Sequence, residues 1–340
     1  MNTTGSLLVT TPTETEIVMT RVFDAPRHLV FAALTKPELL MRWMGPRDWS
    51  LVECEIDLRV GGAWRMVHLG PDGTKMGMKG VYREVSPPDR LVSTEAFDEW
   101  EEAESVVTTV LVEEAGRTTV TVTSRYPTQQ ARDSVVNSGM EGGASEGYDR
   151  LEQLLTLTQI VERYRRRADI FEAKVAAVTD GQWGNQSPCA EWTARDVVDH
   201  IVTMHDVMLR RVDRSLTPAP SVADDPLGAF RAARADVEVL LDDPSLATQD
   251  VDTPMGSMTA AEHVDRVVSA DMPLHGWDLS RATDQDDTID PAEIARASTA
   301  LDGLPEEILR MPGVFGPALQ APADADEQTK LLAFLGRKAW

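Results

Sequence analysis

Cysteine is nearly absent: Cys54 and Cys189 are the only two in 340 residues. Two thiols in different predicted halves exclude a disulfide framework and suit a reducing cytoplasm. Positive charge is also scarce, with 33 Lys and Arg against 56 Asp and Glu for a net charge of −23. The deficit is shared, since 15 basic residues face 24 acidic ones before residue 158 and 18 face 32 after it. Neither half offers the basic surface that nucleic acid or an anionic membrane requires. No apolar run approaches the length of a membrane span, and Met1 to Thr13 has no basic segment ahead of an apolar one. These absences predict a soluble cytoplasmic protein with a short disordered lead over residues 1–13. Its partners would be small molecules or other proteins, with no nucleic acid and no membrane.

What is present is the composition of a folded chain, 42% hydrophobic and 26% charged. A chain of this length outgrows a single core, which predicts two domains. The hydrophobic pattern changes period near residue 157, giving domains over 14–157 and 158–340.

The first half opens with an alternating strand, Glu16 to Phe23, followed by helical spacing from Arg27 to Met44 broken at Pro37. Six short strands follow, Leu51 to Arg59, Ala63 to Leu69, Met76 to Val85, Arg90 to Phe97, Ser105 to Glu113 and Arg117 to Ser124, separated by Gly- and Pro-bearing turns. Gln129 to Leu157 reads as a long helix interrupted at Gly139 and at Gly142-Gly143. An antiparallel sheet around a long terminal helix is a helix-grip, and it leaves a cavity that Trp43, Trp64 and Tyr148 would line, unless these aromatics are plain core. His68 and Cys54 stand alone on their strands, where packing is the natural role.

The second half is helical. Thr158 to Val178 carries Arg163, Arg165, Arg166 and Arg167 on an expected solvated face, and nothing near 156–160 breaks the helix before it. A helix capped by Thr193 runs to about Leu216, a third spans Leu227 to Leu241, Val251 to Met258 looks like a connector, and a fourth helix spans Thr259 to Thr283. Four helices predict a bundle, with a small appendage from Pro291 to Trp340.

Within that bundle three residues attract attention. Asp271 and His275 are four apart and share a helix face, and His200 falls on the apolar stripe of Val197, Ile201, Met204 and Met208. Ionisable groups facing a core need partners, and a divalent cation held by His200, Asp271 and His275 would satisfy all three. The bland alternatives are hydrogen-bonded core histidines and an Asp271 that caps a helix restarting before Pro273. His205 and His263 are expected to pack, and Cys189 to serve its loop.

Two resemblances sharpen this picture. Trp43-Met44-Gly45-Pro46, Asp57 to Trp64 and Gly80 to Val92 resemble the Hsp90 ATPase activator homologue-like branch of the START/polyketide-cyclase (SRPBCC) superfamily, over residues 14–157. That likeness implies the helix-grip fold and an apolar ligand, and it brings no catalytic constellation. Ser187 to Thr193, Thr253 to Met258, His275-Gly276-Trp277-Asp278-Leu279-Ser280-Arg281-Ala282, and the tail from Phe315 to Arg337 resemble the DinB-like, mycothiol-dependent maleylpyruvate isomerase group, over residues 158–340. This second likeness implies a divalent metal, zinc foremost, on His200, Asp271 and His275, and mycothiol as cosubstrate. Asp271 stands where those isomerases carry Glu, and Pro273 lies inside the motif.

The expected fold class is therefore α+β, a helix-grip followed by an all-α DinB-like four-helix bundle. The expected function is a metal- and thiol-dependent isomerase or S-transferase with an accessory apolar-ligand domain. A non-catalytic small-molecule-binding or chaperone-interaction protein, its metal structural or absent, is the alternative. No residue is assigned a catalytic role from the sequence.

Overall fold

The computed structural model describes residues 5–100, 104–253, 256–302, 304–311 and 315–340. The chain divides into two compact units, Met1–Gln159 and Ile160–Trp340.

The first unit is one antiparallel sheet of eight strands with helices on its inward face. Its strands are β1 Leu8–Thr10, β2 Glu16–Phe23, β3 Ser50–Ile56, β4 Ala63–Leu69, β5 Lys75–Ser86, β6 Arg90–Phe97, β7 Ser105–Glu114 and β8 Arg117–Arg125. Spatial order is β1-β2-β8-β7-β6-β5-β4-β3, so β3 to β8 form the expected meander and β2 closes onto its far end. Strand β1 is a departure from the disordered lead: Leu8 to Thr10 pair with Thr20 to Val18. Three residues are too short for an alternation to register in the sequence.

Helices α1 Arg27–Thr35 and α2 Pro37–Trp43 follow β2, with Pro37 opening the second where its missing N–H costs nothing. Helix α3 Gln129–Asn137 ends near Gly139, whose φ of +82° permits the turn into α4 Met140–Ala176. Because no breaker lies near 156–160, α4 continues through the division between units. Its first half contributes Tyr148, Leu151, Leu154 and Leu155 to a core with Phe23, Trp43, Trp64 and Leu111. Arg21, 1% exposed, reaches from β2 to Asp149 at 2.6 Å and Glu152 at 2.5 Å on α4, tying sheet to helix with two carboxylates.

The second unit packs the C-terminal half of α4 with α5 Ala194–Arg210, α6 Pro226–Asp242 and a composite fourth helix. Phe171 of α4 meets Phe230 of α6 at 5.0 Å between ring centroids. The sequence placed all four arginines of α4 in solvent, but two turn inward. Arg163 binds Asp265 at 2.7 Å, and Arg167, 6% exposed, binds Glu293 at 2.5 Å and the Ser269 hydroxyl at 2.9 Å. Long charged side chains can satisfy an inward face when carboxylates meet them, which composition alone does not reveal.

After the four-residue α7 Pro244–Ala247, the stretch read as a connector forms a hairpin of β9 Asp250–Thr253 and β10 Gly256–Thr259; Pro254 and Met255 lie outside the described residues. The fourth helix comes in three pieces: α8 Ala260–Val264, a wider π turn over Asp265–Ser269, and α9 Ala270–Thr283. Pro273 is the fourth residue of α9, so its missing donor falls opposite the Ser269 carbonyl, where the π turn has already shifted the ladder. Helices α10 Pro291–Leu301, α11 Glu306–Leu309 and α12 Glu327–Phe334 form the appendage, and Leu332 and Leu335 join Leu274 and Trp277 of α9 in a shared core. Among the described residues no helix is long and apolar enough to cross a membrane.

His205 of α5 is fully buried in this bundle: its Nδ1 donates to the Ile201 carbonyl at 2.7 Å, and the Tyr164 hydroxyl meets Nε2 at 2.8 Å. Burial drives its pKa down to about 4, against smaller opposing contributions from Ile201 and Asp236. The neutral imidazole is thus a folding requirement. The unfolded chain takes up a proton near pH 6.5 and the folded one only near 4, so stability present above 6.5 is lost as pH falls through that window. The loss expected is roughly 3 kcal/mol. Urea titrations from pH 7.5 to 4 should show it, and His205→Gln should flatten that part of the profile.

Candidate metal centre

The loop ahead of α5 is tied by Gln186, whose Nε2 donates to the carbonyls of Ser187, Cys189 and Trp192 at 2.9 to 3.1 Å. Thr193 then caps α5 in a reciprocal box: its backbone N–H and hydroxyl reach Asp196 at 2.8 and 2.6 Å, and the hydroxyl accepts the Asp196 N–H at 3.3 Å. These local contacts fix the start of α5 and therefore the direction of His200, two turns on. They also set the Trp192 indole against two imidazoles, with centroids 4.9 Å from His200 and 5.6 Å from His275.

Helix α9 supplies the other two groups. His200, Asp271 and His275 each offer one donor atom, and these atoms all lie within 4.8 Å of one another. His200 Nε2 is 3.4 Å from Asp271 Oδ2, and the two imidazole centroids are 4.7 Å apart. The His200–Asp271 contact is a long hydrogen bond, and its length is also the separation of about 3.4 Å at which two ligands stand when each is about 2.1 Å from a tetrahedral zinc ion. His200 and Asp271 keep 24% and 27% of their side chains exposed, which leaves a side of the site open. Pro273 has not rotated Asp271 away from His275; both residues lie within α9, on the C-terminal side of the π turn.

His275 is the better buried of the two imidazoles. Its Nδ1 lies 3.0 Å from Asp278 Oδ2, one turn along the same helix. Asp278 is fully buried and receives Arg337 through Nε at 2.9 Å and Nη2 at 2.7 Å. Burial alone would raise the pKa of this carboxyl, but the His275 hydrogen bond and the Arg337 charge outweigh it and hold the value at about 2. An ionised Asp278 occupies Nδ1 of His275 and leaves Nε2 as the ring nitrogen not engaged by it, the arrangement that orients metal-binding histidines. Cys189 completes the group, with Sγ 3.2 Å from Asp278 Oδ2. Burial and the neighbouring carboxylate push its pKa up to about 12, against the opposing charge of Arg337, which keeps the group a thiol that donates this hydrogen bond.

Asp278, Arg337 and Cys189 were not legible as site residues. Arg337 and Asp278 are 59 positions apart, and Cys189 and Asp278 are 89 apart. The one available signal was Asp278 at three residues after His275, on the same helix face. His263 is buried on α8 and belongs neither to the trio of His200, Asp271 and His275 nor to Cys189, His275 and Asp278, the second group of described residues whose donor atoms converge. The other named aromatics lie in the first unit's core: Trp43, Trp64 and Tyr148 are 5 to 8% exposed, and the Trp43 and Tyr148 rings stand 6.1 Å apart.

Comparison with known proteins divides the chain in the same order. Residues 24–156 match the profile of the Activator of Hsp90 ATPase homolog 1-like protein family, and residues 164–285 match that of the Mycothiol maleylpyruvate isomerase N-terminal domain. An uncharacterized protein of Mycobacterium tuberculosis is 29% identical over 175 residues, 51% of this chain and 95% of that protein. A crystal structure from Rhodobacter sphaeroides is 33% identical and covers 44% of this chain and 98% of its own, with a TM-score of 0.42. One from Nitrosomonas europaea is 27% identical, covers 44% and 99%, and gives a TM-score of 0.40.

Asp278→Asn tests the backing of His275. It should cost about 3 kcal/mol of stability, because Arg337 is left buried without its counter-charge. It should also weaken metal binding about 10- to 100-fold. Adding Arg337→Met should recover stability without recovering metal affinity; equal affinity in the single variant and the parent would confine Asp278 to a structural role.

Proposed function

We propose that this chain, which joins a domain of the Activator of Hsp90 ATPase homolog 1-like family to a Mycothiol maleylpyruvate isomerase N-terminal domain, is a divalent-metal-binding, thiol-dependent isomerase or S-transferase. The observation that carries this reading is the convergence of His200, Asp271 and His275 within 4.8 Å, with His275 braced from behind by a buried carboxylate. Two imidazoles and a carboxylate suit zinc before nickel, manganese or iron. Three protein ligands leave a coordination position free, the arrangement of catalytic rather than structural zinc.

A cation held there would supply the positive charge that keeps a low-molecular-weight thiol ionised at neutral pH. Mycothiol is the thiol that the family points to. The chain's own contribution is orientation and shelter. Asp278 fixes the tautomer of His275, Arg337 keeps Asp278 ionised, and Trp192 covers one flank of both imidazoles. A thiolate so placed can add to a double bond conjugated with a carbonyl; rotation and elimination then return the thiol and the isomerised product. With a leaving group in place of the double bond, displacement gives a thioether. The first domain would hold a small ligand, as an accessory to this chemistry.

Elemental analysis of the purified chain should find about one divalent metal per molecule, lost in His200→Ala and in His275→Ala and retained in His263→Ala. The metal-loaded protein should then show thiol-dependent turnover in a screen of activated alkenes and alkyl halides. Metal without turnover would favour a non-catalytic binding protein with a structural cation, and no metal in the parent would overturn the site itself.

A further inference from the structure

Helix α9 has a second face. At about 100° per residue, Asp271, His275 and Asp278 share one side of it, and Met272, Pro273, Gly276 and Trp277 lie opposite. That opposite face, the second half of α4 and residues 288–293 line a cleft of about 70 Å³. Met272, Pro273 and Ile289 give it an apolar wall. Gly276 leaves room in it: a Cβ there would meet the Lys174 stem at 3.4 Å and the Phe171 ring at 3.7 Å, ordinary contacts, so close packing does not call for a glycine. An interior glycine weakens a helix relative to alanine, and the side chain forgone at this position is cleft volume.

The polar groups of the cleft divide into matched and unmatched ones. Arg167 directs its donors to Glu293 and the Ser269 hydroxyl, which neutralises Glu293. Asp290 caps α10, its Oδ1 accepting the Ala292 N–H at 2.8 Å. Both acids are therefore answered, and two donors are not. The indole N–H of Trp277, a side chain 1% exposed, has no acceptor among the described residues. The Lys174 ammonium carries three protons and places two, on the Ser280 hydroxyl at 2.6 Å and the Asp286 carbonyl at 2.7 Å. Among the described residues no carboxylate pairs with it, since Asp286 turns its side chain to Thr288 and Asp287 turns to Arg281. Burial holds the Lys174 pKa below the usual lysine range, against the smaller opposing pull of Asp286 and Asp287. A half-buried cation without a counter-charge and a buried N–H without an acceptor both call for an anion.

We propose that this cleft binds a short-chain carboxylate, its oxygens on Lys174 and the Trp277 N–H and its alkyl part against Met272, Pro273 and Ile289. The free donors select an acceptor, and the missing counter-charge of Lys174 selects an anion. Glu293 and Asp290 line the same cleft and oppose a second negative charge on the ligand, which puts a carboxylate ahead of a phosphate. A volume of about 70 Å³ offers about five water-sized positions, so the alkyl part is short. The cleft contains none of the candidate metal ligands, and α9 stands between it and them. The inference thus goes beyond the proposed isomerase or transferase activity and does not rest on it.

The test follows the indole N–H signals of the full chain by nuclear magnetic resonance, isotope-labelled at its eight tryptophans, during titration with propionate, propionamide and propylamine. Propionate should shift, saturably, the signal that Trp277→Phe removes, and should bind about tenfold or more tightly than propionamide, as a charge-assisted contact would give. Propylamine should not bind. Lys174→Met should lower propionate affinity about tenfold and leave propionamide within about twofold. Gly276→Ala, which puts a methyl group in the cleft, should weaken both while thermal stability holds or rises. His200→Ala should leave propionate binding intact, which separates the cleft from a carboxylate on the metal and keeps failure here distinct from failure of the metal site. Equal affinity of the parent chain for propionate and propionamide, a Trp277 signal that propionate does not move, or propionate binding lost in His200→Ala would each overturn the proposal.

Discussion

The buried carboxylate of Asp278 is the constraint on which the second unit is arranged. A charge with no exposure must be met from all sides, and three separate segments meet it: the imidazole of its own helix, the thiol of the loop before α5, and the guanidinium of the C-terminal tail. Removing any one leaves the others with a desolvated charge or dipole. The same contacts that stabilise the fold therefore decide which nitrogen of His275 faces the candidate metal position. Stability and site geometry are set by one group.

The two units treat a buried acid in opposite ways. Asp278 is surrounded by donors and stays ionised, with a pKa of about 2; Glu95 has none and rises to about 7. Burial acts in the same direction on both, so the difference lies in the neighbours.

Much of the fold was legible because it is local. Strands β2, β4 and β6 run between the residues that alternation assigned, and the α3 to α4 break falls at a glycine. The α5 start follows from Thr193 and Asp196, three residues apart. The trio His200, Asp271 and His275 was suggested by helical spacing because two of its members are one turn apart. Long-range pairing left no such trace. Arg163 and Arg167 looked solvated until Asp265 and Glu293 met them, and β1 was too short to show a period.

The π turn at Asp265–Ser269 has a consequence for how this helix is compared with others. Each residue of an α-helix advances the face by about 100°, so a single extra residue in one turn rotates everything downstream by that amount relative to everything upstream. The apolar stripe of α8 and that of α9 therefore cannot be read in one continuous phase. A relative lacking the wide turn would align without a gap and still present different residues to the bundle interior. Deleting one residue here would let the wide turn close to an ordinary one with Asp271 and His275 still facing as they do, whereas tightening the turn without a deletion would swing both away from His200, a change written in phase rather than in composition.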